Sequence, residues 1–259
     1  MLMCADTCTN KQRDERFQKA LDAIVRPGDR ERHGIGMQKE KTLHAVLKAY
    51  EDPDEDHHEI PIGNYIADIY CRETESIIEI QTANFGYLRG KLDAFLPQYH
   101  VTVVYPIPAS KWVTWIDPET GELGKRSRSP KKGSFYSAFR ELYRISSYLD
   151  HPNLSIKLIL LDMEEYRLQD GWGRGGKRGS HRYDRIPTRI VGETLLTQPR
   201  DYLQFIPYDL EEPFTAKELA RSCGYPRESF STEALILRKL GVIEKTGTKG
   251  RSYLYKVAE

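Results

Sequence analysis

The sequence predicts an α/β fold, in which a mixed central sheet is flanked by helices and is followed by a small C-terminal domain. Three observations support this prediction. Short β-branched and aromatic segments alternate with amphipathic helical segments through residues 33–210. The apolar segment 99–105 follows a helix and has the composition of a central strand, which indicates a parallel crossover. Residues 211–259 show a helix, a turn, a second helix and a hairpin, and residues 1–32 are predicted to form a polar N-terminal helix or arm.

The composition is that of a globular, soluble chain. Of its 259 residues, 39% are hydrophobic and 30% are charged. No apolar run approaches the ~18–20 residues of a membrane span, so no membrane partner is expected. The charged N-terminus does not resemble a signal peptide, and the four scattered cysteines do not have zinc-site spacing. These features predict a cytoplasmic location.

The net charge of +1 conceals a strong asymmetry along the chain. Six of the nine residues in 51–59 are acidic. Residues 125–189 contain 15 Lys and Arg against 7 Asp and Glu, and residues 213–259 contain 9 against 5. Because clustered Lys and Arg bind phosphates, the basic second half predicts a polyanionic partner.

The first informative helix is predicted from Met37 to about Tyr50. Its apolar residues follow helical spacing, and Glu40 lies along the same inward stripe. Two interpretations of Glu40 remain open. It is either a first-turn acid that interacts favourably with the helix dipole, or a third acid for a site formed further along the chain.

Two short strands, 65–71 and 77–82, follow with a charged turn between them. Each strand carries one carboxylate within its apolar run, Asp68 in the first and Glu79 in the second. One or both could face water from a one-sided sheet. If they are buried on neighbouring strands instead, they would repel each other unless a cation lay between them, and a divalent metal ion is the obvious candidate.

The next elements extend the α/β pattern. A helix is predicted over 85–96, the strand 99–105 ends at Pro106, a hairpin is predicted within 111–129, a further helix follows Gly133, and a buried strand covers 156–162. The return strand of the hairpin and the segment after it are basic and are predicted to contact the polyanionic partner, through Lys125, Arg126, Arg128, Lys131 and Lys132.

Residues 169–187 are rich in glycine and basic residues, which is typical of a flexible loop. Basic side chains, an indole and glycine amides suit a phosphate backbone or an unstacked base. The alternative is an ordinary solvated loop. The candidate contacts are Arg174, Lys177, Arg178, Arg182 and Arg185.

The C-terminal residues have a winged-helix pattern. Thr215 and Glu218 form a capping box at the start of one helix, a second helix covers 229–240, and two strands flank a basic tip that carries Lys249 and Arg251. Such domains bind DNA, and they also form protein–protein contacts.

In combination, Glu40 on a helix, Asp68 on a strand and Glu79-Ile80-Gln81 on the next strand resemble the PD-(D/E)XK nuclease superfamily over about residues 34–106. The whole chain is similar to a bacterial family that joins this core to a C-terminal winged helix. The resemblance implies a restriction-endonuclease-like core and a Mg²⁺ or Mn²⁺ cofactor. It implies that Asp68 and Glu79 bind the metal, with Glu40 as a supporting ligand and the main-chain carbonyl of Ile80 as a further one.

Gln81 departs from the superfamily pattern, which usually has Lys at this position. A glutamine can orient a water but supplies no positive charge. In some superfamily members a Lys on the following helix takes this place, and Lys91 and Arg89 are the nearest candidates here.

The resulting functional prediction is a Mg²⁺-dependent endonuclease for double-stranded or branched DNA, with Glu40, Asp68, Glu79 and Gln81 as catalytic residues. Cleavage of both strands would require two sites, which a homodimer would supply. The alternatives are a catalytically inactive DNA-binding regulator with the same fold, and an RNA-directed or protein-interaction module.

Overall fold

A computed structural model of the chain describes residues 10–25, 42–170, 181–225 and 228–258. The helices are α1 (Asn10–Ile24), α2 (Thr42–Glu51), α3 (Arg89–Phe95), α4 (Phe139–Leu142), α5 (Ala216–Ser222) and α6 (Ser231–Lys239). The strands are β1 (His58–Ile62), β2 (Tyr65–Cys71), β3 (Ser76–Ile80), β4 (His100–Ile116), β5 (Ser127–Arg128), β6 (Leu154–Leu168), β7 (His181–Leu196), β8 (Ile243–Lys249) and β9 (Ser252–Val257). Short 3-10 helices lie at Glu55–His57, Phe85–Leu88, Phe135–Ala138, Tyr143–Ile145 and Pro199–Phe205.

A mixed seven-stranded sheet is the main element of the fold. Its strand order is β1-β2-β3-β4-β6-β7, and β5 pairs with β4. Strand β2 is antiparallel to β3, whereas β3 is parallel to β4, with Ile77 beside Val101 and Ile80 beside Val104. The predicted mixed sheet and its parallel crossover are therefore confirmed. Strands β8 and β9 form a separate two-stranded sheet.

The chain divides into two compact units, each assembled from several stretches. Unit 1 contains Met1–Ile60, Pro106–Gly133 and Ile159–Glu193. Unit 2 contains Pro61–Tyr105, Ser134–Leu158 and Thr194–Glu259. The predicted boundary near residue 210 does not fall between these units, and the independence of 211–259 as a domain stays a prediction.

Unit 2 contains the β2–β3 hairpin and the helix that follows it. The Phe85–Leu88 turn and α3 bury the side chains that the helical spacing predicts: Phe85, Leu88, Leu92 and Phe95. Burying such side chains stabilises the unit by roughly 1.5–3 kcal/mol each. This packing fixes the helix position and therefore determines where its polar residues point.

Two sequence predictions were wrong for the long strands. Strand β4 does not end at Pro106 but continues to Ile116. Since β3 pairs with β4 only as far as Val104, Pro106 lies where that neighbour is already lost, and a proline without an N–H is tolerated there. The predicted loop 169–187 is also too long, because β7 begins at His181.

The C-terminal elements pack within unit 2. The predicted capping box is present: Thr215 Oγ1 accepts a hydrogen bond from Glu218 N (3.2 Å), and Glu218 Oε2 accepts one from Thr215 N (2.7 Å). The ring of Tyr136 lies 5.0 Å from that of Phe230 and 5.6 Å from that of Phe205. Because Phe230 is the residue that precedes α6, this aromatic cluster contacts the start of that helix. In the part of the chain that the structure describes, no helix has the length and apolarity needed to cross a membrane.

Gly133 in unit 1 makes a close backbone approach that yields a stability prediction. A Cβ at this position would lie 2.5 Å from Pro108 O and 2.9 Å from Ile107 Cγ2. Gly133→Ala is therefore expected to lower the free energy of unfolding by about 1–3 kcal/mol, as overpacking does. Urea unfolding measures this, with Gly124→Ala as the control because its Cβ would have its nearest neighbours at 3.5 Å. Equal stability of the two variants would contradict the prediction.

Candidate active site

Asp68 and Glu79 lie opposite each other on neighbouring strands. The register pairs Ile69 with Ile78 and Tyr70 with Ile77, so one further step along the antiparallel ladder places Asp68 beside Glu79. Directly opposed residues have Cβ atoms about 4.5–5.5 Å apart and share a face of the sheet. The two acids that the sequence singled out are therefore neighbours.

Glu79 is buried, which excludes the solvent-facing alternative for this residue. It is only 2% exposed. Its Oε2 accepts a hydrogen bond from Lys91 Nζ at 2.6 Å. Its Oε1 is buried and accepts no hydrogen bond from any residue that the structure describes. An unsatisfied buried carboxylate oxygen is costly, so this atom is the strongest indication of a missing ligand.

The protonation of Glu79 reflects this environment. Burial is the largest cause of the raised pKa of Glu79, and the charge of Asp68 raises this pKa further. The charge and hydrogen bond of Lys91, together with the amide of Asp68, act in the opposite direction, and the resulting pKa is about 7. A cation at Oε1 would favour the ionised form that two neighbouring carboxylates otherwise resist.

This pKa predicts how stability depends on pH. Since a glutamate in an unfolded chain has a pKa of about 4.3, the folded protein retains a proton between about pH 4.5 and 7 that the unfolded chain has lost. The free energy of unfolding therefore falls as the pH rises through this window, by roughly 2–3 kcal/mol more than in Glu79→Gln. Urea unfolding of both proteins in metal-free buffer measures the difference. Parallel pH profiles would show that Glu79 does not titrate in this way.

Asp68 is oriented by the strand it faces. Its Oδ2 accepts a hydrogen bond from the main-chain N–H of Ile80 at 2.7 Å. The carboxylate thus accepts the hydrogen bond that a backbone carbonyl would otherwise accept at the end of the β2–β3 ladder. This hydrogen bond holds the Asp68 side chain toward β3. Ile80 is the residue whose main-chain carbonyl is the predicted additional metal ligand. Its N–H is therefore hydrogen-bonded to Asp68.

The side chain of Gln81 is engaged in a turn. Its Nε2 donates hydrogen bonds to the carbonyl oxygens of Ala83 and Asn84, the latter at 3.2 Å. Asn84 has a φ of 51°, and its carbonyl also accepts from Tyr87 N at 3.1 Å. Gln81 therefore holds the turn that leads into α3. Its predicted catalytic role stays a prediction.

Asp68 and Glu79 fit a divalent cation, because carboxylate oxygens are the preferred ligands of Mg²⁺ and Oε1 of Glu79 has no donor among the described residues. The third predicted acid, Glu40, lies outside the described residues. Within the described ranges, no group of three His, Cys, Asp or Glu side chains is arranged to hold a metal ion. The described site thus consists of two acids and the ammonium group of Lys91.

The predicted DNA-contacting residues fall into several environments. Arg126 is paired with Glu164 and lies 4.7 Å above the ring of Trp112, and Arg128 stacks on the same ring at 5.5 Å. Exposed side chains without a carboxylate partner in the described chain are Lys125, Lys131, Lys132 and Arg251. Others pair with acids, Arg182 with Glu165 and Lys249 with Glu218, while Arg185 is half-buried. Arg174, Lys177 and Arg178 lie outside the described residues.

Two features of the fold are not evident in the sequence. The direction of Lys91 is ambiguous there, because on the helical wheel its position lies beside the buried Leu88 and Leu92 and is not clearly opposite them. Glu165, which is buried and pairs with three cationic side chains, is only weakly indicated by the sequence. It is a charged residue soon after the apolar strand 156–162. A charge at this place is as typical of an ordinary strand end as of a buried ion-pair cluster.

Comparisons with known proteins identify relatives of this chain. Residues 41–197, more than half of the chain, match the family described as "Domain of unknown function (DUF8091)". The matched segment includes Asp68, Glu79 and Lys91. A Treponema pallidum (strain Nichols) protein described as "Uncharacterized protein" is 28% identical over 227 residues, which cover 86% of this chain and 87% of the relative. No solved structure matches the chain.

Proposed function

The chain belongs to the DUF8091 family, and we propose that it is a Mg²⁺-dependent DNA endonuclease that hydrolyses phosphodiester bonds at Asp68 and Glu79. The observation that carries the proposal is the buried Oε1 of Glu79, which has no hydrogen-bond donor among the described residues and lies beside a second carboxylate. A divalent cation, Mg²⁺ or Mn²⁺, is the ligand that satisfies this oxygen and separates the two negative charges.

The chemistry follows from the properties of this ligand. A bound Mg²⁺ would lower the pKa of a coordinated water and offset the charge that develops on the phosphate oxygens. The chain itself supplies the holding groups. Glu79 is buried and Asp68 is fixed by the N–H of Ile80, so both carboxylates are positioned before substrate arrives. Such preorganisation is what a hydrolytic site requires.

Lys91 takes the role of the missing strand lysine in this proposal. Its Nζ reaches Glu79 from α3, so a positive charge is present at the site although residue 81 is a glutamine. The ammonium group lowers the pKa of Glu79 and favours the ionised ligand. It also provides donors that can approach a phosphate oxygen.

The C-terminal elements support a DNA partner. The capping box, helices α5 and α6, and the β8–β9 hairpin occur in the order of a winged helix, and Lys249 and Arg251 lie at the hairpin tip. We assign this tail to binding of double-stranded or branched DNA, with the restriction-endonuclease-like core as the cleaving part. A homodimer would supply the second site for cleavage of both strands.

The test is cleavage of supercoiled and of branched DNA by the purified full chain, with Mg²⁺, Mn²⁺ or EDTA. The expected result is metal-dependent nicking or linearisation that EDTA abolishes. Failure to cleave any DNA substrate with either metal would overturn the proposal.

A second function, a catalytically inactive DNA-binding regulator, is favoured by one specific observation. Lys91 already pairs with Glu79, so the site has one internal cation that partly replaces a metal ion. This alternative predicts salt-dependent DNA binding without cleavage, and binding that does not change when Mg²⁺ is added. Metal-independent binding without cleavage would establish it over the nuclease.

A further inference from the structure

Unit 1 contains a buried carboxylate that pairs with three positively charged side chains. Glu165 on β6 is 2% exposed. Its Oε2 lies 3.0 Å from Lys111 Nζ on β4 and 3.5 Å from Arg182 Nε on β7, and its Oε1 pairs with Arg167. We call these four residues the Glu165 cluster. Three strands of the sheet thus deliver one cation each to the same acid.

The cluster has two positive charges in excess. Across the described ranges, Glu165 is the only acid that pairs with Lys111, Arg167 or Arg182. The hydrogen bonds and charges of Lys111 and Arg167 outweigh the effect of burial and lower the pKa of Glu165, so the acid is ionised at neutral pH. One cation is sufficient to compensate one carboxylate. The second and third bring mutual repulsion, which an additional anion would relieve.

Neighbouring acids of the same strand show the ordinary arrangement. Asp162 pairs with Arg189 at 2.7 Å, and Glu164 pairs with Arg126 at 2.6 Å. Each of these acids therefore has one arginine. The Glu165 cluster, which by alternation lies on the opposite face of β6, departs from this one-to-one pattern.

The cations of the cluster remain accessible to a ligand. The exposed fractions of their side chains are 20% for Lys111, 31% for Arg167 and 44% for Arg182, whereas Glu165 is buried beneath them. A lysine has three N–H donors and an arginine has five, so most donors are not used by the single carboxylate. Clustered guanidinium and ammonium groups with unused donors are the groups that recognise phosphate oxygens.

We propose that the three cations around Glu165 form a phosphate-binding site, with Glu165 as the residue that positions them. The ligand is a phosphate group, carried either by the backbone of a nucleic acid strand or by a free nucleotide. Trp115, which is 37% exposed and lies on the same face of β4 as Lys111 by alternation, offers an aromatic surface for the attached base. The site needs neither Asp68 nor Glu79. It extends the nucleic-acid contact predicted for Arg182 to a three-cation site, and its test does not depend on cleavage.

Binding in metal-free buffer tests the proposal independently of cleavage. The full chain is titrated with a short labelled oligodeoxynucleotide and, separately, with ATP. Arg182→Ala is the main variant because Arg182 is the most exposed cation and has the longest contact. The affinity of Arg182→Ala for at least one probe is expected to fall about tenfold, because the variant loses a charge-assisted hydrogen bond. If the oligonucleotide is the ligand, the salt slope also falls by roughly 0.7 to 0.9.

Arg189→Ala is the matched control, since it removes an arginine of the same strand that pairs with an acid of the same partner strand. Its affinity is expected to stay within about twofold of wild type. A loss for the oligonucleotide alone assigns the site to a nucleic acid backbone, and a loss for ATP alone assigns it to a nucleotide. Unchanged affinity of Arg182→Ala for both probes, or equal losses in both variants, would overturn the proposal.

Lys111→Met is the second variant and guards against a folding defect, because it removes the charge and keeps the apolar stem. It should reproduce the loss seen in Arg182→Ala while its thermal unfolding remains cooperative. Arg182→Lys should recover most of the affinity by restoring the charge. Failure of this recovery, with Lys111→Met unaffected, would likewise rule out the charge-based site.

Discussion

Asp68→Ala and Glu79→Ala are each expected to reduce Mg²⁺-dependent DNA cleavage on the order of a thousandfold. In the proposed nuclease, a bound metal ion would contribute several kcal/mol to the barrier reduction, and each 1.36 kcal/mol corresponds to about tenfold in rate. The two acids are opposed on neighbouring strands, so neither can replace the other as a ligand. Cleavage rates with saturating Mg²⁺ and Mn²⁺, together with Mn²⁺ binding by calorimetry, measure the effect.

Asp93→Asn is the matched control for this experiment. Asp93 is an exposed acid on α3, the helix that also carries Lys91, and it accepts a hydrogen bond from Tyr148. Its replacement removes one negative charge from the same unit without touching the site. If cleavage survives in both Asp68→Ala and Glu79→Ala, the active-site assignment is wrong even though the protein is a nuclease.

Lys91→Met should have the second largest effect, on both activity and stability. It leaves Glu79 buried without its ammonium partner, so at pH 8 the free energy of unfolding is expected to fall by about 2–4 kcal/mol. At pH 5 the cost should shrink, because Glu79 then accepts a proton instead. Cleavage should drop by roughly a hundredfold, the effect of removing one preorganised electrostatic group.

Companion variants separate these contributions. In Glu79→Gln/Lys91→Met the buried charge is gone, so most of the stability lost in Lys91→Met should return, and a double-mutant cycle gives the coupling. Gln81→Lys should not increase cleavage, because Lys91 already supplies the charge and the amide of Gln81 holds the carbonyls of Ala83 and Asn84. A clear gain in Gln81→Lys would show instead that residue 81 limits catalysis.

The sequence is most informative where the determining interactions are local. The alternation of strands β2 and β3, the charged turn between them and the capping box at Thr215 all depend on residues within a few positions of one another. The alternation specifies which face of the sheet a side chain takes once a strand has formed. Local pattern alone is therefore sufficient to place Asp68 and Glu79 on one hairpin.

Strand β7 shows the limit of local reasoning. Its residues 181–187 carry several polar and charged side chains and a proline, so their composition is that of a loop. They form a strand because hydrogen bonding within the sheet, together with pairs such as Arg189–Asp162, compensates for the weak propensity. Sheet pairing joins residues that are distant in sequence, and a single sequence does not reveal it.

The candidate site is divided in the same way. Sequence pattern is sufficient to identify the two carboxylates, their shared hairpin and the glutamine at position 81. The packing of the folded chain is needed to establish that Glu79 is buried, that Lys91 points toward it, that Gln81 holds a turn, and that Glu165 pairs with three cations. The physical reason is that burial and side-chain direction depend on which elements pack together. That packing is fixed by the whole sheet and its helices, whereas alternation along one strand is a property of the strand alone.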